Sequence, residues 1–190
     1  VAVVFVSILI HELGHALAFR RYGLGSQIVL HFGGGLTIPE QVSWGSGWAS
    51  VALTPSQEIF ISLAGPGAGF LLAGFVIGGV AVSGGSVITT ALLGFIPLPA
   101  AVILPIGGGI LNALAITLLW VNIFWGLINL MPVHPLDGGN VTRYLLLKAD
   151  PRDGVRKSLW VSVIAGTLVA AMGLFLLRSV YMAFLFGFLA

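Results

Sequence analysis

The chain has 190 residues, of which 58% are hydrophobic and 7% are charged. Water-soluble domains carry about 25% charged residues, so this composition, with a mean hydropathy of +1.09, excludes a soluble enzyme, a disordered tail and a nucleic-acid-binding protein. The net charge of +2 is too small to indicate an acidic partner, and the absence of Cys excludes disulfides and thiolate metal ligands. Any metal must therefore be held by His and carboxylate side chains.

Apolar segments predict an integral, multi-pass membrane protein. No Asp, Glu, Lys or Arg occurs in residues 59–136, a stretch several times longer than the ~20 apolar residues of one bilayer crossing. Both ends of the chain lie inside apolar runs, so we expect a fragment of a longer protein. The predicted spans are 1–19, 59–82, 112–131, 159–177 and an incomplete 180–190.

The segment 83–111 is apolar, but its three prolines interrupt any regular helix. Basic residues follow the first span, at Arg20 and Arg21, and the third span, in 143–157, and the positive-inside rule places both groups in the cytosol. An even number of crossings must separate them. We therefore predict that 83–111 is an external hairpin or loop, and that 140–158 is a cytosolic loop.

The polar loop 23–57 is strand-like in its sequence pattern. Apolar and β-branched residues at 28–32 and 36–38 flank the glycines 33–35, and this arrangement predicts a β-hairpin with a glycine turn. His31 lies in this hairpin, where an edge-strand polar residue is a simpler interpretation than a functional one.

Residues 11–15 read His-Glu-Leu-Gly-His, the pattern H-E-x-x-H, within the first span. On a helix, residues four apart share one face, so both imidazoles can bind one metal ion, with Glu12 beside them able to hold a metal-bound water. Ionisable side chains are costly inside a membrane helix, which argues against a chance match. With a rise of ~1.5 Å per residue, His15 lies about 8 Å and His11 about 14 Å below Arg20, so the metal is predicted inside the bilayer, nearer the cytosol.

Catalytic zinc usually has three protein ligands, so a third ligand must come from elsewhere in the chain. Asp137 is the only acidic residue between Glu58 and Asp150. It lies in 129–139, where two prolines make the backbone irregular at or near membrane depth, as is tolerated around a protein or water cavity. The alternative is that Asp137 only caps the helix that follows.

Three motifs together resemble the site-2 protease family of intramembrane zinc metalloproteases. They are H-E-L-G-H at 11–15 on one membrane helix, S-L-A-G-P at 62–66 on the next, and N-x-x-P-x-x-P-L-D-G-G at 129–139 after a third. All three occur in the family order, and their conjunction is far more specific than any one of them.

The resemblance implies an all-α polytopic membrane protein with a three-helix metalloprotease core, one or two C-terminal spans and a small membrane-associated β-hairpin. In such a core His11, His15 and Asp137 bind one zinc ion per chain. Glu12 is the general base, and Asn129 positions the substrate carbonyl or stabilises the oxyanion. The implied activity is hydrolysis of peptide bonds within or next to transmembrane segments, as in regulated intramembrane proteolysis.

The implied layout is a core over 1–139, a cytosolic loop over 140–158 and C-terminal spans over 159–190. The 27–38 hairpin corresponds to the family's β element at the substrate entrance, and the implied location is a prokaryotic cell membrane, with a transmembrane protein as substrate. Two positions depart from the family pattern without touching a proposed ligand. The residues after the Gly-Pro lack the frequent Asn, and Asn140 stands where Arg is common.

Two other functions use similar features. A zinc or divalent-metal transporter also carries H-E-x-x-H on a membrane helix, but transport needs successive polar stations, and this chain has one cluster. A catalytically inactive scaffold would have no need for Glu12. His134 could serve as a spare ligand or a donor to one, although the prolines beside it favour a turn.

Overall fold

The computed structural model describes residues 1–31, 34–40, 42–44, 47–49, 53–92, 96–105, 108–175 and 178–189. Within these ranges four helices are long and apolar enough to cross a membrane. The elements are α1 (Ala2–Arg21), β1 (Ser26–His31), β2 (Gly34–Pro39), β3 (Val42–Trp44), β4 (Gly47–Ala49), α2 (Pro55–Val82), β5 (Ser86–Leu92), β6 (Ile96–Ile103), α3 (Gly108–Asn129), α4 (Asp137–Ala149), α5 (Gly154–Phe175) and α6 (Val180–Leu189).

The described strands form three separate antiparallel hairpins, β1–β2, β3–β4 and β5–β6. The first hairpin confirms the strands predicted in the polar loop, but the prediction that 33–35 form the turn is wrong in part. Gly34 and Gly35 belong to β2, where they pair with His31 and Leu30. The φ of Gly34 is +144°, an unusual strand conformation that favours glycine at this position.

The chain divides into two compact units. The first contains α1, the β1–β2 hairpin, most of α2, the β5–β6 hairpin and nearly all of α3. Its apolar core joins the second half of α2 to β6 and α3, and both strands of the first hairpin pack against α1. The core residues are Ala73, Val80, Val102, Ala115 and Leu119.

In residues 2–17 of α1 the buried side chains are polar, as expected of functional residues in a helix in lipid. Ser7, His11 and His15 have the i, i+4, i+8 spacing of one helix face, and Glu12 is buried beside His11. Leu17, on another face, is 64% exposed.

The second unit contains the start of α2 and helices α4, α5 and α6. Here α5 packs against both α4 and α6, and Phe186 of α6 is completely buried. Most of helix α4 falls in the segment 140–158 predicted as a loop, so the connection after α3 is largely helical. The segment 83–111 contains strands β5 and β6 and no complete membrane-spanning helix among its described residues. The side of the membrane on which each connection lies stays a prediction.

Candidate metal centre

The two histidines of the H-E-x-x-H motif meet on the buried face of α1. Nε2 of His15 lies 3.2 Å from Nε2 of His11, and the two rings are nearly perpendicular, with centroids 4.9 Å apart. His11 is 6% exposed and His15 is 8% exposed. The helical spacing therefore directs the same ring atom of both residues to one buried point.

The separation of these two nitrogens fits zinc. Two nitrogens bound at about 2.0–2.1 Å in a tetrahedral arrangement lie about 3.3 Å apart, close to the distance found here. Both histidines belong to the first compact unit, whereas Asp137, the third predicted ligand, and His134 belong to the second.

Glycine at position 65 makes room for the histidine pair. A Cβ at Gly65 would lie 2.8 Å from Nε2 of His11 and closer still to Nε2 of His15. Helices α1 and α2 also approach closely at Gly14, where a Cβ would lie 2.9 Å from Cβ of Ala68. The glycine of the S-L-A-G-P motif thus faces the proposed ligands directly, a role that small-residue helix packing alone did not predict.

Glu12 stands between the two histidines in the sequence. Its side chain is buried and contacts strand β2. It is 5% exposed, and the hydroxyl of Thr37 donates a hydrogen bond of 2.7 Å to Oε2 of its carboxylate. A Cβ at Gly35 would lie 2.6 Å from Oε1 of Glu12, so β2 passes directly over this side chain. Sequence reasoning missed both residues, because a hairpin pattern does not reveal which helix its face covers.

Asp137 is the first residue of α4 and lies in its first turn. The cap position is Leu136, which makes no side-chain cap hydrogen bond. The neighbouring Gly138 is buried, and a Cβ there would lie 2.5 Å from the carbonyl oxygen of Met131. The Gly-Gly pair after Asp137 therefore allows the start of α4 to lie tightly against the preceding loop.

Asn129 is the last residue of α3 and is 9% exposed.

The other two histidines, His31 and His134, have different outcomes. The backbone N–H of His134 donates to Oγ of Ser162 at 2.8 Å, and Nε2 of its ring is buried without a hydrogen-bond partner in the described part of the chain. Burial lowers the pKa of His134, and the guanidinium of Arg143 lowers it further. The side chain of His31 lies outside the described residues.

A buried polar link inside the first unit was not predicted. The side-chain amide of Asn122 on α3 donates to Oγ of Ser7 at 2.9 Å and to the carbonyl oxygen of Leu118 at 2.8 Å. Asn122 is 4% exposed and Ser7 is 3% exposed. The contact joins α1 to α3 one turn before His11. Two short polar residues in apolar helices were the available signal.

Residues 1–171 match the sequence profile of Peptidase family M50. The chain belongs to peptidase family M50. This membership confirms the resemblance found in the three motifs. It places the chain in a family of peptidases, and several of its helices are suited to a bilayer.

Individual relatives agree with the family. Rip3 of Mycobacterium tuberculosis is 32% identical over 165 residues, which cover 86% of this chain and 34% of that protein. Zinc metalloprotease MJ0392 of Methanocaldococcus jannaschii is 27% identical over 146 residues, which cover 76% of this chain and 33% of that protein. The M50 chain thus spans about a third of the length of the curated relatives it matches.

The fold agrees as well. The solved site-2 protease from Methanocaldococcus jannaschii superimposes with a TM-score of 0.57 and 26% sequence identity, over 99% of this chain and 74% of that one. The predicted fold class, an all-α polytopic membrane protein with a small hairpin beside its helices, is therefore confirmed. Rip3 and MJ0392 are both named as zinc metalloproteases.

Proposed function

We propose that this M50 protein is an intramembrane zinc endopeptidase that cuts membrane-protein substrates within or next to a transmembrane segment. The observation that carries the proposal is the buried pair of Nε2 atoms 3.2 Å apart on an apolar helix, with Glu12 on the same turn. A membrane helix that buries three ionisable side chains at metal-ligand spacing needs a functional reason for them.

In this proposal one zinc ion per chain is held by His11, His15 and Asp137. Two imidazoles and a carboxylate are a donor set that catalytic zinc uses, with one position left for water or substrate. The buried approach of the two histidine nitrogens, 3.2 Å apart, supports this set. Bound zinc polarises a carbonyl oxygen and makes water more acidic.

Glu12 and Asn129 carry the remaining chemistry in this proposal. The carboxylate of Glu12 accepts a proton from the attacking water and returns it to the leaving amine nitrogen, so that the peptide C–N bond breaks. The side-chain amide of Asn129 donates a hydrogen bond to the carbonyl oxygen as negative charge develops there. Burial of both side chains supports these roles, because donors and bases act more strongly where water is excluded.

The proposed substrate is a transmembrane protein, and its helix must open before it can be cut. The carbonyls of an intact helix are already hydrogen-bonded within the helix, so the attacked segment has to unwind. The β1–β2 hairpin borders α1 and offers a strand edge to which an unwound segment can pair. Such a reaction would belong to regulated intramembrane proteolysis.

We also propose that the protein resides in a prokaryotic cell membrane with the metal nearer the cytosol. The basic residues Arg20 and Arg21 at the end of α1 support this orientation. The histidines lie within two to three helical turns of that end of the helix.

The test uses purified protein in proteoliposomes with a single-span test substrate that carries a different fluorescent tag at each end. We expect the wild type to separate the two tags and to contain one zinc per chain. Glu12→Gln should keep the zinc and lose at least about 10²-fold in rate, the lower end of what general-base catalysis contributes. His15→Ala and Asp137→Ala should lose zinc as well as activity.

The same preparation distinguishes the metal transporter. Zinc uptake into the vesicles by the wild type and by Glu12→Gln alike, without cleavage of the substrate, would replace the protease proposal with transport. Cleavage by Glu12→Gln at the wild-type rate would show that another residue is the base.

A further inference from the structure

The side chain of Thr37 touches the residue proposed as general base. Its Oγ1 lies 2.7 Å from Oε2 of Glu12 and 3.1 Å from the backbone carbonyl oxygen of the same residue. The carboxylate is the nearer acceptor, and a charge-assisted hydrogen bond is stronger than a bond between neutral groups. The main contact of this hydroxyl is therefore with the catalytic end of the side chain.

Strand β2 brings two residues of one face against Glu12. Gly35 and Thr37 are two apart, so they lie on the same side of the strand. The backbone of Gly35 lies so close to the carboxylate that a Cβ would lie 2.6 Å from Oε1, and the hydroxyl of Thr37 donates to Oε2. Together they restrict a side chain that would otherwise choose among many rotamers.

We propose that Thr37 is a positioning residue for proteolysis. Its hydroxyl holds the carboxylate of Glu12 in the orientation that accepts a proton from the attacking water. The bond occupies one oxygen and leaves lone pairs of the carboxylate available for that proton. This inference rests on the proposed function, in which Glu12 is the general base.

The experiment compares Thr37→Val, Thr37→Ser and the control Thr117→Val. Val keeps the β-branched shape that suits a strand, and Ser keeps the hydroxyl. Thr117 is a matched control because its hydroxyl donates only to the carbonyl oxygen of Ala113 in its own helix, at 2.6 Å. If thermal unfolding measurements show that Thr37→Val is not folded, Thr37→Ala takes its place.

With the tagged single-span substrate we expect Thr37→Val to lower kcat about tenfold or more, a part of the 10²–10⁴-fold that general-base catalysis supplies. KM and zinc content should stay at the wild-type values, and Thr37→Ser should restore most of kcat. Thr117→Val should change none of these quantities. A purely structural role for Thr37 would lower the unfolding midpoint without this selective loss of kcat.

A second readout is independent of activity. The chain contains six acidic residues, so the infrared carboxyl band of Glu12 can be identified in the metal-free protein as the band lost in Glu12→Gln. Thr37→Val should shift this band, and Thr37→Ser should leave it in place. An unmoved band, or a kcat equal to that of the wild type in Thr37→Val while Glu12→Gln is inactive, would overturn the positioning role alone. Full activity of Glu12→Gln would instead overturn the proposed base, and the positioning role with it.

Discussion

Replacing Gly65 by Ala should weaken zinc binding selectively. The new Cβ would lie 2.8 Å from Nε2 of His11, whereas ordinary contacts of a Cβ begin at 3.4 Å. An ordinary contact therefore requires the ring of His11 to move by 3.4 − 2.8 = 0.6 Å, and the ring of His15, which is nearer, to move further. Functional sites tolerate displacements of about 0.5 Å, and disturbing the groups around metal ligands typically costs about 10–100-fold in affinity.

The matched control is Gly67→Ala on the same helix, where a Cβ meets nothing within 4 Å. Both variants gain the same helix propensity, so their difference isolates the contact with the histidines. Zinc affinity is measured by competition with a chromophoric chelator in detergent, and unfolding of the metal-free proteins shows whether the fold is intact. We expect Gly65→Ala to bind zinc about 10–100-fold more weakly than Gly67→Ala, which should match the wild type. Equal affinity in the two variants would refute the placement of Gly65 against the ligands.

Three further predictions concern stability. Ser7→Ala removes the partner of Asn122 on α3, and should lower the free energy of unfolding by about 0.6–1.7 kcal/mol, the range measured for hydrogen bonds between membrane helices; unchanged unfolding in detergent would contradict this. Removing zinc with a chelator should lower the unfolding midpoint of the wild type, because a metal bound only by the folded state stabilises it, and the midpoint of His15→Ala should not respond. The ammonium of Lys157, which donates a hydrogen bond to Asp150, holds the pKa of that exposed carboxyl below its usual value, with help from the backbone N–H of Asp153. The stabilising contribution of Asp150 is therefore complete above the ordinary pKa of an aspartate and is lost as the pH falls through the depressed value. Carboxyl titration by NMR should show a higher pKa for Asp150 in Lys157→Ala, and an unchanged pKa would argue against the pair.

The order of the helices could be predicted from composition because a bilayer crossing needs only a long apolar run. The four long helices all fall on predicted spans. The boundaries were less accurate, since α2 begins at Pro55 and α3 at Gly108, each four residues before the predicted start. Apolar content does not mark where the first turn of a helix forms, and helix ends depend on their local contacts.

The connections were harder to predict for a different reason. The glycines at 33–35 were interpreted as a turn, because glycine is common in turns. Gly34 and Gly35 instead continue strand β2, where the second of them leaves space for Glu12. Helix α4 entered the predictions only in the alternative that Asp137 caps a helix, because its sequence is neither long nor apolar enough to resemble a span.

The sequence by itself determined the helical positions of His11, Glu12 and His15, because the four-residue spacing is a property of the local helix. It also determined the family, through motifs that are read without knowing any contact. Only the tertiary structure decided what surrounds those side chains. Gly65 leaves room for the histidines, and Thr37 binds the carboxylate of Glu12, across separations of many residues along the chain. Such contacts depend on how helices and strands pack against each other, and no local periodicity encodes them.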